Sequence, residues 1–166
     1  IGDFLSSKGV NDYMIELGGE VLCNGVNGSG ESWRIAIDQP VSLEEKRAIQ
    51  ALLTVENKAV ATSGSYRKFK EIDGKRYSHT IDPRTGYPVD HQLLSATVVA
   101  SNCAAADAYA TAFMVMGADE AMSFLEGPYG AGLEAYLISS SQDGYHIQMS
   151  PSLTSRIEQT GSTISQ

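Results

Sequence analysis

SATVVASNCAAADAYATAFMVMG, residues Ser95–Gly117, decides how the rest of the chain is read. Its first residues predict a strand, with Ala96, Val98 and Ala100 alternating with Thr97, Val99 and Ser101, and β-branched residues dense among them. Asn102 or Ser101 can cap a helix. Gly117 stops it. Within that helix Asp107 and Thr111 stand four apart, so their oxygens share one face, one turn above the other. Alanines at 104, 105, 106, 108, 110 and 112 carry nothing beyond a methyl, so another backbone or a ligand can come very close.

A carboxylate and a hydroxyl at this spacing offer two oxygen ligands to a hard cation such as Mg²⁺. That ion is typically held by one or two protein oxygens, with phosphates and water completing its shell. A plainer reading fits the spacing as well. Asp107 would be a favourable charge near the helix N-terminus, and Thr111 would bond back to the carbonyl of residue 107. Spacing alone leaves both open.

A chain of 166 residues fits one domain with a substantial core. Hydrophobic residues at 42% and charged residues at 19% are those of a globular protein. The formal charge of -8 gives no general attraction for nucleic acid or an anionic membrane, which argues against either as the main partner. A basic cluster, Arg67, Lys68, Lys70, Lys75 and Arg76, is short and poor in aromatics, and reads as a solvated hairpin face. Cys23 and Cys103 make no CxxC, and sequence leaves open whether they pair. No apolar run reaches the roughly 18 residues that span a membrane. IGDFLSSKG already reads as an amphipathic helix with Ile1, Phe4 and Leu5 inward, so we expect a longer product upstream.

Further along, Tyr13–Leu17 predicts a strand stopped by Gly18-Gly19, followed by Glu20 and the apolar run Val21–Leu22. The glycine pair marks either a bulge where something approaches the backbone or a simple turn. Asn24–Glu31 is a loop and Trp33–Asp38 a strand. Ser42–Leu53 predicts a helix, because Ser42 and Glu45 form a capping box and Ile49, Leu52 and Leu53 a stripe. Lys58–Thr62 is a strand that breaks at Ser63-Gly64-Ser65-Tyr66, a small turn able to offer N–H groups to a phosphate or to be an ordinary turn.

Asp73-Gly74 joins Arg67–Ile72 to Lys75–Ile81 as a hairpin. The second arm runs into His79-Thr80-Ile81-Asp82-Pro83-Arg84-Thr85-Gly86-Tyr87-Pro88, a stiff polar loop of the kind that carries function. Ala118–Glu126 is a short helix, and Leu133–Ser139 and Tyr145–Met149 are strands. Residues 1–150 form one region and 151–166 a polar, Ser/Thr-rich tail with a mobile end. Hairpins with a single strand-to-helix transition predict an α+β fold, a largely antiparallel sheet with helices packed on it.

Five stretches occur in one order: ELGGE (Glu16–Glu20), WRIAIDQP (Trp33–Pro40), AVATSGSY (Ala59–Tyr66), HTIDPRTGYP (His79–Pro88) and the opening segment. Together they resemble the ApbE-like flavin transferases, and specifically the C-terminal half of that family's chains. The resemblance implies Mg²⁺-dependent transfer of FMN from FAD to a Thr or Ser hydroxyl of an acceptor flavoprotein subunit, with release of AMP; some members hydrolyse FAD instead. It implies Asp107 and Thr111 as metal ligands and His79 as the base. Glu20, Ser63, Gly64, Ser65 and Tyr66 would line the FAD site, supported by Thr85 and Gly86. It further implies a glycine- and lysine-bearing motif upstream, and a protein lipid-anchored on the periplasmic side of a bacterial inner membrane, with the anchor outside these residues. A flavin- or metal-binding module without turnover, and a half-domain silent until paired, are the competing readings.

Overall fold

The computed structural model describes residues 1–41, 46–65, 69–72 and 75–160. In chain order these form α1 (Gly2–Ser7), β1 (Tyr13–Leu17), β2 (Glu20–Asn24), β3 (Trp33–Asp38), β4 (Ile49–Val55) and β5 (Ala59–Gly64). Then follow β6 (Phe69–Ile72), β7 (Lys75–Ser78), β8 (Leu93–Ala100), α2 (Cys103–Met116), α3 (Ala118–Glu126), β9 (Glu134–Ser141), β10 (Gly144–Met149) and β11 (Ile157–Gln159). Six strands make a central sheet in the order β1-β2-β5-β8-β9-β10. Every ladder in it is antiparallel. A smaller sheet, β11-β4-β3, stacks on one face, and α2 and α3 cover the other. The architecture is α+β and largely antiparallel, as expected.

Alternation along the strands builds two cores. Val21 and Cys23 of β2, Val60 of β5, Val99 of β8 and Tyr136 and Ile138 of β9 face the small sheet, where Ile37, Leu53 and Val55 meet them. Ala96, Val98, Ala135 and Leu137 face the helices and pack on Ala110, Phe113 and Met114. The capping expected of α2 is present: the Asn102 side chain accepts from the Ala105 N–H at 2.9 Å, and Gly117, with φ of 84°, ends the helix.

Three expectations are corrected. Ile49–Val55 is a strand and not the end of a helix, because its backbone pairs with β3 and β11 while Ala51, Leu53 and Val55 are buried against the central sheet; the proposed capping box at 42–45 lies outside the described residues. Ile1 and Phe4 point outward, 72% and 62% exposed. The short helix docks instead through Gly2, where an added Cβ would lie 2.8 Å from Leu22 Cδ2 and 2.9 Å from the Tyr13 hydroxyl.

The segment after residue 150 is not a tail as far as residue 160. Leu153 is wholly buried, β11 pairs with β4, and the Tyr136 hydroxyl donates to Gln159 Oε1 at 3.0 Å. An Arg156–Glu134 ion pair holds the same segment to β9. Residues 161–166, and with them the expected mobile end, lie outside the described residues. Leu153→Ala should therefore lower the unfolding free energy by about 2–5 kcal/mol in a denaturant titration. A change within a few tenths of a kcal/mol would return the segment to the status of a tail.

Candidate functional site

The site grows from a contact between two surfaces of small residues. Period-2 alternation puts Ala59, Ala61 and Ser63 of β5 on the face beneath α2. Ala59, Ala61 and Ala100 of the sheet meet Ala106 of the helix, all buried. Only methyls intervene, so helix and sheet lie close together. At the end of β5 that closeness brings Ser63 Oγ within 3.0 Å of Thr111 Oγ1. On the opposite face of β5, Thr62 Oγ1 lies 2.8 Å from the Thr97 hydroxyl of the paired strand.

Asp107 sits one helical turn before Thr111. Both are exposed, on a side of α2 that also carries exposed Ala104 and Ala108. Asp107 lines a cavity of about 430 Å³ together with Glu20, Cys103, Ala104, Ile15 and Leu17. Glu20 reaches it from the start of β2, immediately after a two-residue hairpin turn. Gly18 and Gly19 make that turn with φ of 73° and 113°, which decides between the two readings of the pair. A Cβ on Gly18 would stand 3.0 Å from Glu20 Oε2, so the turn is also bare where the carboxylate folds over it.

The donor set suits a hard cation: a carboxylate and a hydroxyl on one open helix side, a second carboxylate in the adjoining cavity, and methyl-only neighbours that leave room. Among the described residues no three of His, Cys, Asp and Glu gather as a metal cluster. A cation here would need oxygens from its substrate or water to complete its shell.

The turn proposed at Ser63–Tyr66 has a different form. β5 continues through Gly64, which pairs with Ser95, and the Ser65 N–H donates to the Leu94 carbonyl at 3.0 Å. That amide is spent on the sheet and not offered to a phosphate. Tyr66 lies outside the described residues, as do Arg67, Lys68 and the Asp73-Gly74 turn.

His79 is exposed just past β7. The loop after it is stiff. Ile81 bridges Pro88, the Asp82 N–H donates to Tyr87 O at 2.9 Å, and the Gly86 N–H donates to Asp82 O at 2.8 Å. Arg84 donates from its guanidinium and its backbone N–H to the Asp82 carboxylate, holding that carboxyl below its usual range. The same guanidinium reaches Glu120 on α3 at 3.4 Å. The Thr85 hydroxyl accepts from the Tyr87 N–H at 3.2 Å. Thr85 and Gly86 thus shape the loop, and neither they nor His79, Ser63 or Thr111 line the cavity at Asp107.

Sequence reasoning missed Cys103, which stands four residues before Asp107 and so extends the same face by a turn. That spacing was legible. It also left the cysteine pairing open. Both thiols are free; Cys23 lies between the sheets, and Cys103 lies in the first turn of α2 on the other face of the central sheet.

The ApbE family model matches residues 1–137. The chain belongs to the ApbE family. It is 39% identical over 147 residues to an FAD:protein FMN transferase of Klebsiella pneumoniae, covering 89% of this chain and 41% of that protein. It is 40% identical over 145 residues to the Vibrio cholerae protein of the same description, covering 87% and 42%. Among solved structures, the flavin transferase ApbE from Vibrio cholerae superposes with a TM-score of 0.77 at 38% identity, covering 93% of this chain and 47% of that one. The apo form of the Pseudomonas stutzeri flavinyl transferase ApbE gives 0.76 at 33% identity, covering 93% and 46%. This ApbE-family chain therefore spans less than half the length of these relatives.

Burial pushes the Cys23 thiol up to about 11, and the neighbouring Cys103 adds to it. Burial first, and then the Glu20 charge, raises Cys103 above its usual value of 9.0. At pH 8 iodoacetamide should modify Cys103 slowly and Cys23 only on unfolding, with rates rising with pH as thiolate forms. Glu20→Gln should speed Cys103 alkylation by about two- to fivefold, since one screened charge contributes up to about 1 kcal/mol. An unchanged rate would remove Glu20 from the neighbourhood of Cys103.

Proposed function

We propose that the whole protein is an FAD:protein FMN transferase, moving FMN from FAD to a threonine or serine hydroxyl of an acceptor flavoprotein and releasing AMP. The observation that carries this is the pairing of Asp107 and Thr111 on one open side of α2, with Glu20 lining the cavity beside Asp107. Membership of a family whose relatives carry that description supports it.

Asp107 and Thr111 would hold Mg²⁺. When bound, the ion supplies charge neutralisation to the pyrophosphate oxygens during displacement at phosphorus. The residues of this chain position the reactants. Ile15, Leu17 and Leu22 supply apolar wall to the cavity that Asp107 lines, where a bound nucleotide would displace water. The stiff loop after β7 fixes where the chain leaves His79. That histidine, a residue type well suited to general-base work, would take the proton from the acceptor hydroxyl as its oxygen bonds to phosphorus. The bond to the AMP phosphate breaks in the same displacement, and AMP leaves with the electron pair. Glu20, Ser63, Gly64, Ser65 and Tyr66 are assigned to the flavin nucleotide site, supported by Thr85 and Gly86. We place the protein on the periplasmic face of a bacterial inner membrane, held by a lipid anchor outside these residues. Among the described residues no helix is long and apolar enough to cross a membrane.

The test is AMP release from FAD and flavin fluorescence on the acceptor. Asp107→Ala should lower both by roughly 10²–10³-fold at fixed Mg²⁺, the scale of losing one electrostatic stabiliser of the transition state. Retained turnover would refute the assignment. AMP release without labelled acceptor would favour FAD hydrolysis. Flavin binding without AMP would favour a binding module.

A further inference from the structure

We propose that Ser63 is a positioning residue for Thr111, acting as the acceptor for the Thr111 hydroxyl proton so that the Thr111 oxygen is left aimed outward as a cation ligand. The inference rests on the reading of Asp107 and Thr111 as the metal pair, and extends it to a residue with another assigned role.

The chemistry starts from the hydroxyl. A neutral threonine that gives a lone pair to a cation keeps its proton, and that proton must point away from the ion. It then needs an acceptor on the far side, or the ligand is left with an unsatisfied donor in a crowded place. In an uncapped helix interior the usual acceptor is the carbonyl four residues back, which is that of Asp107. A bond of that kind would turn the Thr111 oxygen towards the helix backbone and away from the open side it shares with Asp107. Ser63 Oγ supplies a different acceptor, at 3.0 Å.

Ser63 is also placed firmly enough to do this. Its backbone is paired in the β5–β8 ladder, opposite Ala96. The residue before it, Thr62, is tied on the other face of the strand to Thr97, whose side chain is 1% exposed. Ala59 and Ala61, on the same face of β5 as Ser63, let α2 lie close enough for the two hydroxyls to meet. A longer side chain at either point would lift the helix and open the gap. Ser63 therefore acts through Thr111, as outer-layer partners of metal ligands generally do, and need not touch the nucleotide.

The experiment measures Mn²⁺ binding to the whole protein by electron paramagnetic resonance, without turnover, for Ser63→Ala, Thr111→Val, the double variant and Asp107→Ala. Asp107→Ala and Thr111→Val should each weaken binding, which checks the underlying reading. Ser63→Ala alone should weaken Mn²⁺ binding by roughly 10–100-fold, the usual cost of losing such a partner. In the Thr111→Val background the same substitution should change it by less than about twofold, because its effect runs through Thr111. A general folding defect would appear equally in both backgrounds and would overturn the proposal, as would undiminished Mn²⁺ affinity in Ser63→Ala. Equal affinity of wild type and Asp107→Ala would remove the metal pair itself, and the proposal with it.

Discussion

The close approach of α2 to strands β5 and β8 governs the rest of the molecule. It depends on residues that have almost no side chain: Ala59 and Ala61 on β5, Ala96 and Ala100 on β8, Ala106 and Ala110 on the helix, all buried. Interiors pack near the density of organic crystals, so replacing any of these methyls with a larger group would displace the helix or strain the sheet. Two hydroxyls 3.0 Å apart, on a strand and a helix distant in sequence, record how close the layers are. The helix is therefore a fixed platform, and the oxygens on its open side inherit that rigidity. Larger groups pack where α2 meets α3: Tyr109 and Phe113 lie against Phe124, and Met114 joins the same core.

That constraint separates structural from chemical work along one helix. In the first turns of α2 the buried residues that face the sheet, Ala106 and Ala110, are small, while residues between them, Asp107, Ala108 and Thr111 among them, are exposed. Asp107 and Thr111 occupy outward positions and pay no burial penalty for their polarity. Their setting is completed from other elements, with Glu20 arriving over a glycine turn and Ser63 rising from beneath. The loop after β7 follows a different logic. It is stiffened by its own Asp82–Arg84 pair and by the reach of Arg84 to α3, so its shape does not depend on the cavity.

How much of this was legible varies with the physics. The β8–α2 unit was readable because one cap, one terminator and two periodicities agreed. The α+β class, α3 and most strands were readable from alternation and turn chemistry. β4 was not, because Ala51, Leu53 and Val55 face the central sheet but the apolar Leu52 sits between them on the other face, hiding the alternation, while Ile49, Leu52 and Leu53 mimic a helical stripe. The outward turn of Phe4 was hidden because docking through Gly2 leaves no hydrophobic signature. The burial of Leu153 was masked by polar neighbours. At the site, the Asp107–Thr111 spacing was plain, but the Ser63 contact joins residues whose proximity only the packed layers create, and the continuation of β5 through Gly64 overrode a local sequence that looked like a turn.

The central claim is that Asp107 and Thr111 hold one divalent ion between them. The direct measurement is the anomalous difference density of crystals of the whole protein grown with FAD and Mn²⁺. The account predicts a single strong peak about 2.0–2.3 Å from both an Asp107 carboxylate oxygen and Thr111 Oγ1, the bonding range of small hard divalent cations. A peak bonded to neither oxygen would contradict it.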